Sequence, residues 1–268
     1  MNLSALLEQQ FSLPSIPRVV ALLLHELRQS EVDLHKVNQL ISTDPALTTR
    51  LLQLANTSFF GQSGTIGTVS EALALLNLGH VLKMAEAAAA VASPKAVAGV
   101  RLSQFWEYSL NVARVSRSLA TLVRLNPQTA FTTGLIHAVG ELAMHLAMPQ
   151  RLEQLDREVP LLALNRAYAE RKLLGYCFGT VGAGYARMWR FPPAMVNAIE
   201  HQYAPFDNHV YEPLAGVVHL ATWRARCKEA RLSERGLAVT FPDAVGVAMD
   251  LNIDIVLQQD PFDWGAHT

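Results

Sequence analysis

Cysteine is scarce in this chain, with Cys177 and Cys227 the only two. Two widely separated thiols make neither a disulfide framework nor a zinc knuckle, which points to a reducing, cytoplasmic setting. Charge of one sign is also lacking: 22 basic and 23 acidic residues leave a formal net charge of -1. Such a balance gives no general electrostatic reason to expect nucleic acid or an anionic membrane as a partner. Arg187, Arg190, Arg224, Arg226 and Lys228 are the candidates for a local basic patch. Long apolar runs are missing too. The richest stretch, around Met84 to Val100, is interrupted by Pro94 and Gly99, short of the roughly 20 residues a membrane span needs. The N-terminal MNLSALLEQQFSLP has no basic start and no apolar core, so it does not read as a secretory signal.

Phosphate loops and nucleophile elbows are likewise absent. Gly179-Thr-Val-Gly-Ala-Gly184 has no strand before it and no Lys-Ser/Thr end, so it reads as a site of close helix contact. Cys177 has no His at motif spacing and no Gly-x-Ser-x-Gly occurs, which leaves nucleophilic hydrolysis without support.

What is present is helical periodicity, with half of the 268 residues hydrophobic. Pro17 opens a helix with Val20, Leu23, Leu24 and Leu27 on one face, and a second runs from about Asp33 to Ile41. Asp44-Pro45 and Asn126-Pro127 pair an N-cap with proline at the first helical position. Thr68 and Glu71 form a capping box. Between Asn56 and Gly67 lies an irregular loop whose Phe59 and Phe60 read as plugs between two lobes rather than as a recognition patch. From Ser103 to Leu125, Trp106, Leu110, Ala113, Val115 and Leu119 mark the buried side. The expected architecture is all-α, a multi-helical bundle with no useful alternating β pattern. Residues 1–98 form an N-terminal helical lobe, and residues 99–268 a second lobe with a C-terminal helical extension, the boundary falling between Pro94 and Gly99.

The chemistry concentrates in Gly134-Leu-Ile-His-Ala-Val-Gly-Glu-Leu-Ala-Met-His145, expected within one helix from Asn126 to about Ala147. Four-residue spacing puts His137, Glu141 and His145 on one drifting helical face. As a core histidine, His137 would bond a neighbouring carbonyl while Glu141 and His145 reach the helix surface.

Several segments together resemble the HDOD domain, a degenerate relative of the HD phosphohydrolases. They are LPSIP, ISTDPALTTRLLQLANTSFFG and TIGTVSEALALLNLGHV, followed by FWEYSLNVARVSRSLA, AFTTGLIHAVGELAMH, MWRFPPAMVNAIEHQYAP and LAGVVHLATW. The resemblance covers roughly residues 13 to 225. It implies an all-helical fold and a regulatory role in bacteria without known turnover.

An HD phosphohydrolase surrounds one or two metal ions with histidines and aspartates, because neutral imidazoles and carboxylates hold a divalent ion beside a reactive water. Carried over by the resemblance, the first His position is Tyr108, the His-Asp pair is His137-Ala138, a further His is Phe178, the His-His pair is His201-Gln202, and the last Asp is Thr222. Only His137 and His201 keep a good ligand. Two imidazoles without a carboxylate make a weak site, so neither metal nor cofactor is expected. Rescue would need Glu141, His145 or His219 to join.

The reading is therefore a non-catalytic, stand-alone HDOD protein that binds a signalling protein in trans, with a metal-dependent phosphohydrolase of altered ligand set as the alternative. A small ligand could occupy the vestigial cavity around Tyr108, His137, Phe178 and His201.

Overall fold

A computed structural model of the chain describes residues 1–91, 97–210 and 212–259. Among them every regular element is helical, and no helix is long and apolar enough to cross a membrane. The first six helices are α1 (Leu3–Leu7), α2 (Pro17–Leu27), α3 (Leu34–Ile41), α4 (Pro45–Ala55), α5 (Val69–Leu75) and α6 (Leu78–Val91). Then come α7 (Leu102–Leu122), α8 (Pro127–Ile136), α9 (Val139–Ala147), α10 (Pro149–Glu158), α11 (Arg166–Leu174) and α12 (Phe178–Met188). The chain continues through α13 (Pro193–His201), α14 (Pro213–Glu229), α15 (Glu234–Thr240), α16 (Asp243–Ala248) and α17 (Ile253–Gln258).

Local chemistry sets these starts. The Asp44 carboxylate accepts from Ala46 N and Leu47 N, and its other oxygen takes Ile16 N at 2.6 Å, so one buried side chain caps α4 and fixes the approach to α2. Thr68 and Glu71 complete the expected capping box of α5. Asn126 caps α8 through Gln128 N and Thr129 N. The expected boundary from Pro94 to Gly99 lies partly outside the described residues.

Helix α7 is the spine, packing against α8 and α14, while α12 lies between α9 and α13. Phe105, Val112, Ala113, Val115 and Leu119 form its buried side; Trp106 and Leu110 are only half-buried. The expected tight contact at the glycine-rich segment is present. A Cβ on Gly140 would strike the carbonyl oxygen of Phe178 and stand 2.6 Å from Gly182 N. Backbone therefore meets backbone where α9 crosses α12, a distance only glycine permits.

Two expectations fail here. The single helix from Asn126 to Ala147 is broken at His137 and Ala138, and the break turns α9 onto α12. Phe59 is not a plug: it is 81% exposed on a 3-10 turn closed by Gly61 in the left-handed conformation. Only Phe60 turns inward, edge-on to the ring of His80.

Candidate functional site

His137 lies at the break, fully buried. Its Nδ1 is 2.6 Å from the carbonyl oxygen of Gly134. A carbonyl can only accept, so Nδ1 carries the proton and Nε2 keeps a lone pair. That lone pair faces the Tyr108 hydroxyl at 3.1 Å. The same hydroxyl oxygen accepts from Arg226 Nε at 3.0 Å. The donor chain thus runs without conflict from Arg226 through Tyr108 and His137 to Gly134. Burial pushes the His137 pKa down to about 3, and the neighbouring Arg226 charge adds to this against the Gly134 hydrogen bond. The imidazole is neutral at physiological pH.

Arg226 comes from α14, one helical turn beyond Thr222. Its guanidinium carbon stands 5.8 Å from the Tyr108 ring centre and 5.4 Å from that of Phe178, within cation–π range. Nη1 donates to the carbonyl of Ala163. A surface basic patch including Arg226 is thereby ruled out, because the residue is 6% exposed and turned into the core.

Gln202 donates from Nε2 to the carbonyl oxygens of His137 and Ile199, both at 2.9 Å. Those two acceptors fix which way the amide points, and among the described residues its buried Oε1 has no donor. His219 Nδ1 donates to the Gln202 carbonyl at 2.6 Å, and Thr222 donates to the His219 carbonyl. Burial also lowers the His219 pKa. Beside these groups opens a cleft of about 250 Å³, whose lining includes Phe178, Gln202, Tyr203, Thr222, Trp223 and Arg226.

Tyr108, His137, Phe178, Gln202 and Thr222 are thus brought into one region from five separate segments, with Ala138 buried at the break. His201 does not join them. Its Nδ1 bonds back to the Asn197 carbonyl at 3.1 Å, and the side chain is absent from the cleft lining.

The residues present do not fit a metal ion. The His137 lone pair is already satisfied by Tyr108, which leaves only that of His219 at the cleft; among the described residues no carboxylate accompanies them, and the Arg226 cation stands beside them. Among the described residues, no three His, Cys, Asp or Glu side chains group into a metal-binding set.

Glu141 and His145 belong to a different cluster, and they do not reach the surface. Both are buried around Arg166, which is itself completely buried. Arg166 is 2.7 Å from Glu170 Oε1, 2.8 Å from Glu141 Oε1 and 2.8 Å from Asp156 Oδ1. The Glu141 and Asp156 pairs are held by charge at short range without well-aligned hydrogen bonds. His145 donates to the Glu141 carbonyl and meets Asp156 Oδ2 at 3.1 Å. Burial opposes an imidazolium there, but the Asp156 and Glu141 contacts outweigh it and raise the His145 pKa. Burial and the nearby Glu141 push Glu170 well above the usual carboxylate range. Its other oxygen accepts from Phe178 N at 2.7 Å, tying the cluster to the start of α12.

Sequence reasoning missed Arg226 as a central residue and missed Arg166 altogether. The signals were the one-turn offset from Thr222 to Arg226 and the i,i+4 spacing of Arg166 and Glu170.

A curated relative from Treponema pallidum (strain Nichols), an uncharacterized protein, is 25% identical over 227 residues. The match takes in 80% of this chain and 42% of the relative, so the chain spans less than half of that protein's length. The MmoQ response regulator of Methylococcus capsulatus has the same fold at a TM-score of 0.73 and 24% identity, over 92% of this chain and 97% of that one. A putative phosphohydrolase from Shewanella amazonensis superposes with a TM-score of 0.57 at 26% identity, over 98% and 94% of the two chains. The HDOD domain model matches residues 13–205. With that match spanning most of the sequence, through the helices that carry Tyr108, His137 and Phe178, the chain belongs to the HDOD family.

Proposed function

We propose that the protein is a regulatory protein of a bacterial signalling system, working by binding and not by turnover, and that its partner is a signalling protein supplied in trans. Family membership and the likeness to a protein named as a response regulator support the regulatory role. The observation that carries the non-catalytic part is the Arg226–Tyr108–His137 chain. A permanent guanidinium charge stands beside the histidine a metal would need, and that histidine's lone pair is engaged by Tyr108. A divalent cation would meet repulsion there instead of carboxylates. The alternative, a phosphohydrolase with an altered ligand set, draws on the name of the Shewanella neighbour.

The test is metal analysis of protein purified without chelator, with phosphodiesterase and phosphomonoesterase assays in the presence of Mn, Fe or Zn. We expect substoichiometric metal and no turnover above background. Stoichiometric metal with activity abolished by His137→Ala would overturn the reading. Capture of a defined signalling protein, abolished by surface substitutions that leave the fold intact, would identify the partner.

A further inference from the structure

Arg226 is a buried cation without a counter-ion. Its partners are a phenol, a carbonyl oxygen and two aromatic rings, and among the described residues no carboxylate pairs with it. The neighbouring Arg166 makes the contrast plain, with three carboxylates in contact. Burying a charge is costly unless it is paired. Here the unpaired guanidinium lines an open cleft of about 250 Å³. Phe178, Tyr203 and Trp223 contribute aromatic surface to the lining, while Leu164 and Ala167 add aliphatic surface. Gln202, 1% exposed and lining the same cleft, adds an independent sign: a buried acceptor oxygen that no donor among the described residues reaches.

We infer that this cleft is a binding site for a small anion, a carboxylate or phosphate carried on a flat apolar body, with its charge on the Arg226 guanidinium. Deepening the proposed function, the inference rests on the reading that the protein binds without turning over: such a ligand would be its regulatory signal. With Nε on Tyr108 and Nη1 on Ala163, Nη2 is the guanidinium nitrogen left to meet an anion oxygen through a charge-assisted hydrogen bond. The aromatic lining suits a planar body. Binding would supply the missing negative charge. A ligand that also carries an O–H or N–H would serve the Gln202 oxygen.

The experiment uses the full chain and three probes: benzoate, phenyl phosphate and neutral benzyl alcohol. Thermal unfolding reports binding to the folded form, and quenching of tryptophan fluorescence, checked against Trp223→Phe, reports occupancy of the cleft. We expect at least one anion to raise Tm and quench Trp223, and benzyl alcohol to do neither. Which anion does so separates a carboxylate from a phosphate ligand. Arg226→Gln should weaken binding by about ten- to hundredfold, the loss of one charge-assisted contact. Because Arg226 also holds Tyr108, Thr222→Leu serves as the second variant. It fills the cleft while leaving the guanidinium in place, and should abolish the quenching. No response to either anion, an equal response to benzyl alcohol, or binding unaffected in both variants would overturn the site. Those outcomes leave the non-catalytic reading standing. Release of phenol from phenyl phosphate would sink that reading instead.

Discussion

Arg226 donates its Nε–H to the hydroxyl oxygen of Tyr108 at 3.0 Å, joining α14 to α7 in the centre of the bundle. The hydroxyl serves two partners at once. Tyr108→Phe therefore leaves the guanidinium nitrogen and the His137 lone pair both buried without a partner. We expect a loss of about 2–4 kcal/mol, since each buried orphan costs about 1–3 kcal/mol and the two costs need not add. Urea denaturation of both proteins, compared at equal m, measures it.

Arg166 supports a prediction of the opposite kind, because removing it strands carboxylates. Arg166→Met should destabilise the protein by about 3–5 kcal/mol, the usual cost of breaking a buried pair from one side. Added salt should not restore the loss, since the cluster is screened from solvent. Thermal unfolding at low and high ionic strength checks both points.

Stability should depend on pH through three histidines, in two opposite senses. His137 has a native pKa of about 3 against an ordinary 6.5. Between those values the unfolded chain binds a proton that the native state refuses, so stability falls as pH drops below about 6.5, by at most about 5 kcal/mol. His219, also lowered by burial, acts in the same direction. His145 is raised instead. Its contribution is complete below about 6.5 and is lost as pH rises through its native pKa. Melting curves from pH 4 to 9 should show a maximum near neutrality. His137→Asn should flatten the acid limb, and His145→Gln the alkaline one. An unchanged acid limb in His137→Asn would contradict the neutral, buried imidazole.

At the α9–α12 crossing, Gly140→Ala would drive a methyl group into the Phe178 carbonyl and the Gly182 backbone. Backbone on both sides cannot swing away as a side chain can. We expect a loss of at least about 3 kcal/mol, seen as a lowered Tm or as insoluble protein. Gly61, whose Cβ would meet nothing, makes the control for space alone, although its φ of 69° still favours glycine.

The parts of the structure set by neighbours in sequence were legible in advance. Asp44-Pro45, the Thr68–Glu71 box and Asn126-Pro127 each start a helix where expected, because capping is settled within four residues. His137 bonding a nearby carbonyl was legible for the same reason. Periodicity also placed Glu141 and His145 on one face, yet it could not say what covers that face. Arg166 arrives from α11 and makes a buried cluster of what looked like a surface pair. Arg226 was misjudged in the same way, since a charge on α14 reveals its surroundings only when α7 and α12 are in place around it. Phe59 erred in the other direction: aromatic character alone does not tell an exposed turn from a plug.

The break between α8 and α9 has a consequence for the order of assembly. At the corner, the carbonyl of His137 is taken up by Gln202, 65 residues downstream. The bend is thus sutured by a segment synthesised much later, and its carbonyl gains this partner only once the end of α13 has docked. Hydrogen exchange should accordingly show the amides around the bend and those at the end of α13 opening as one cooperative unit.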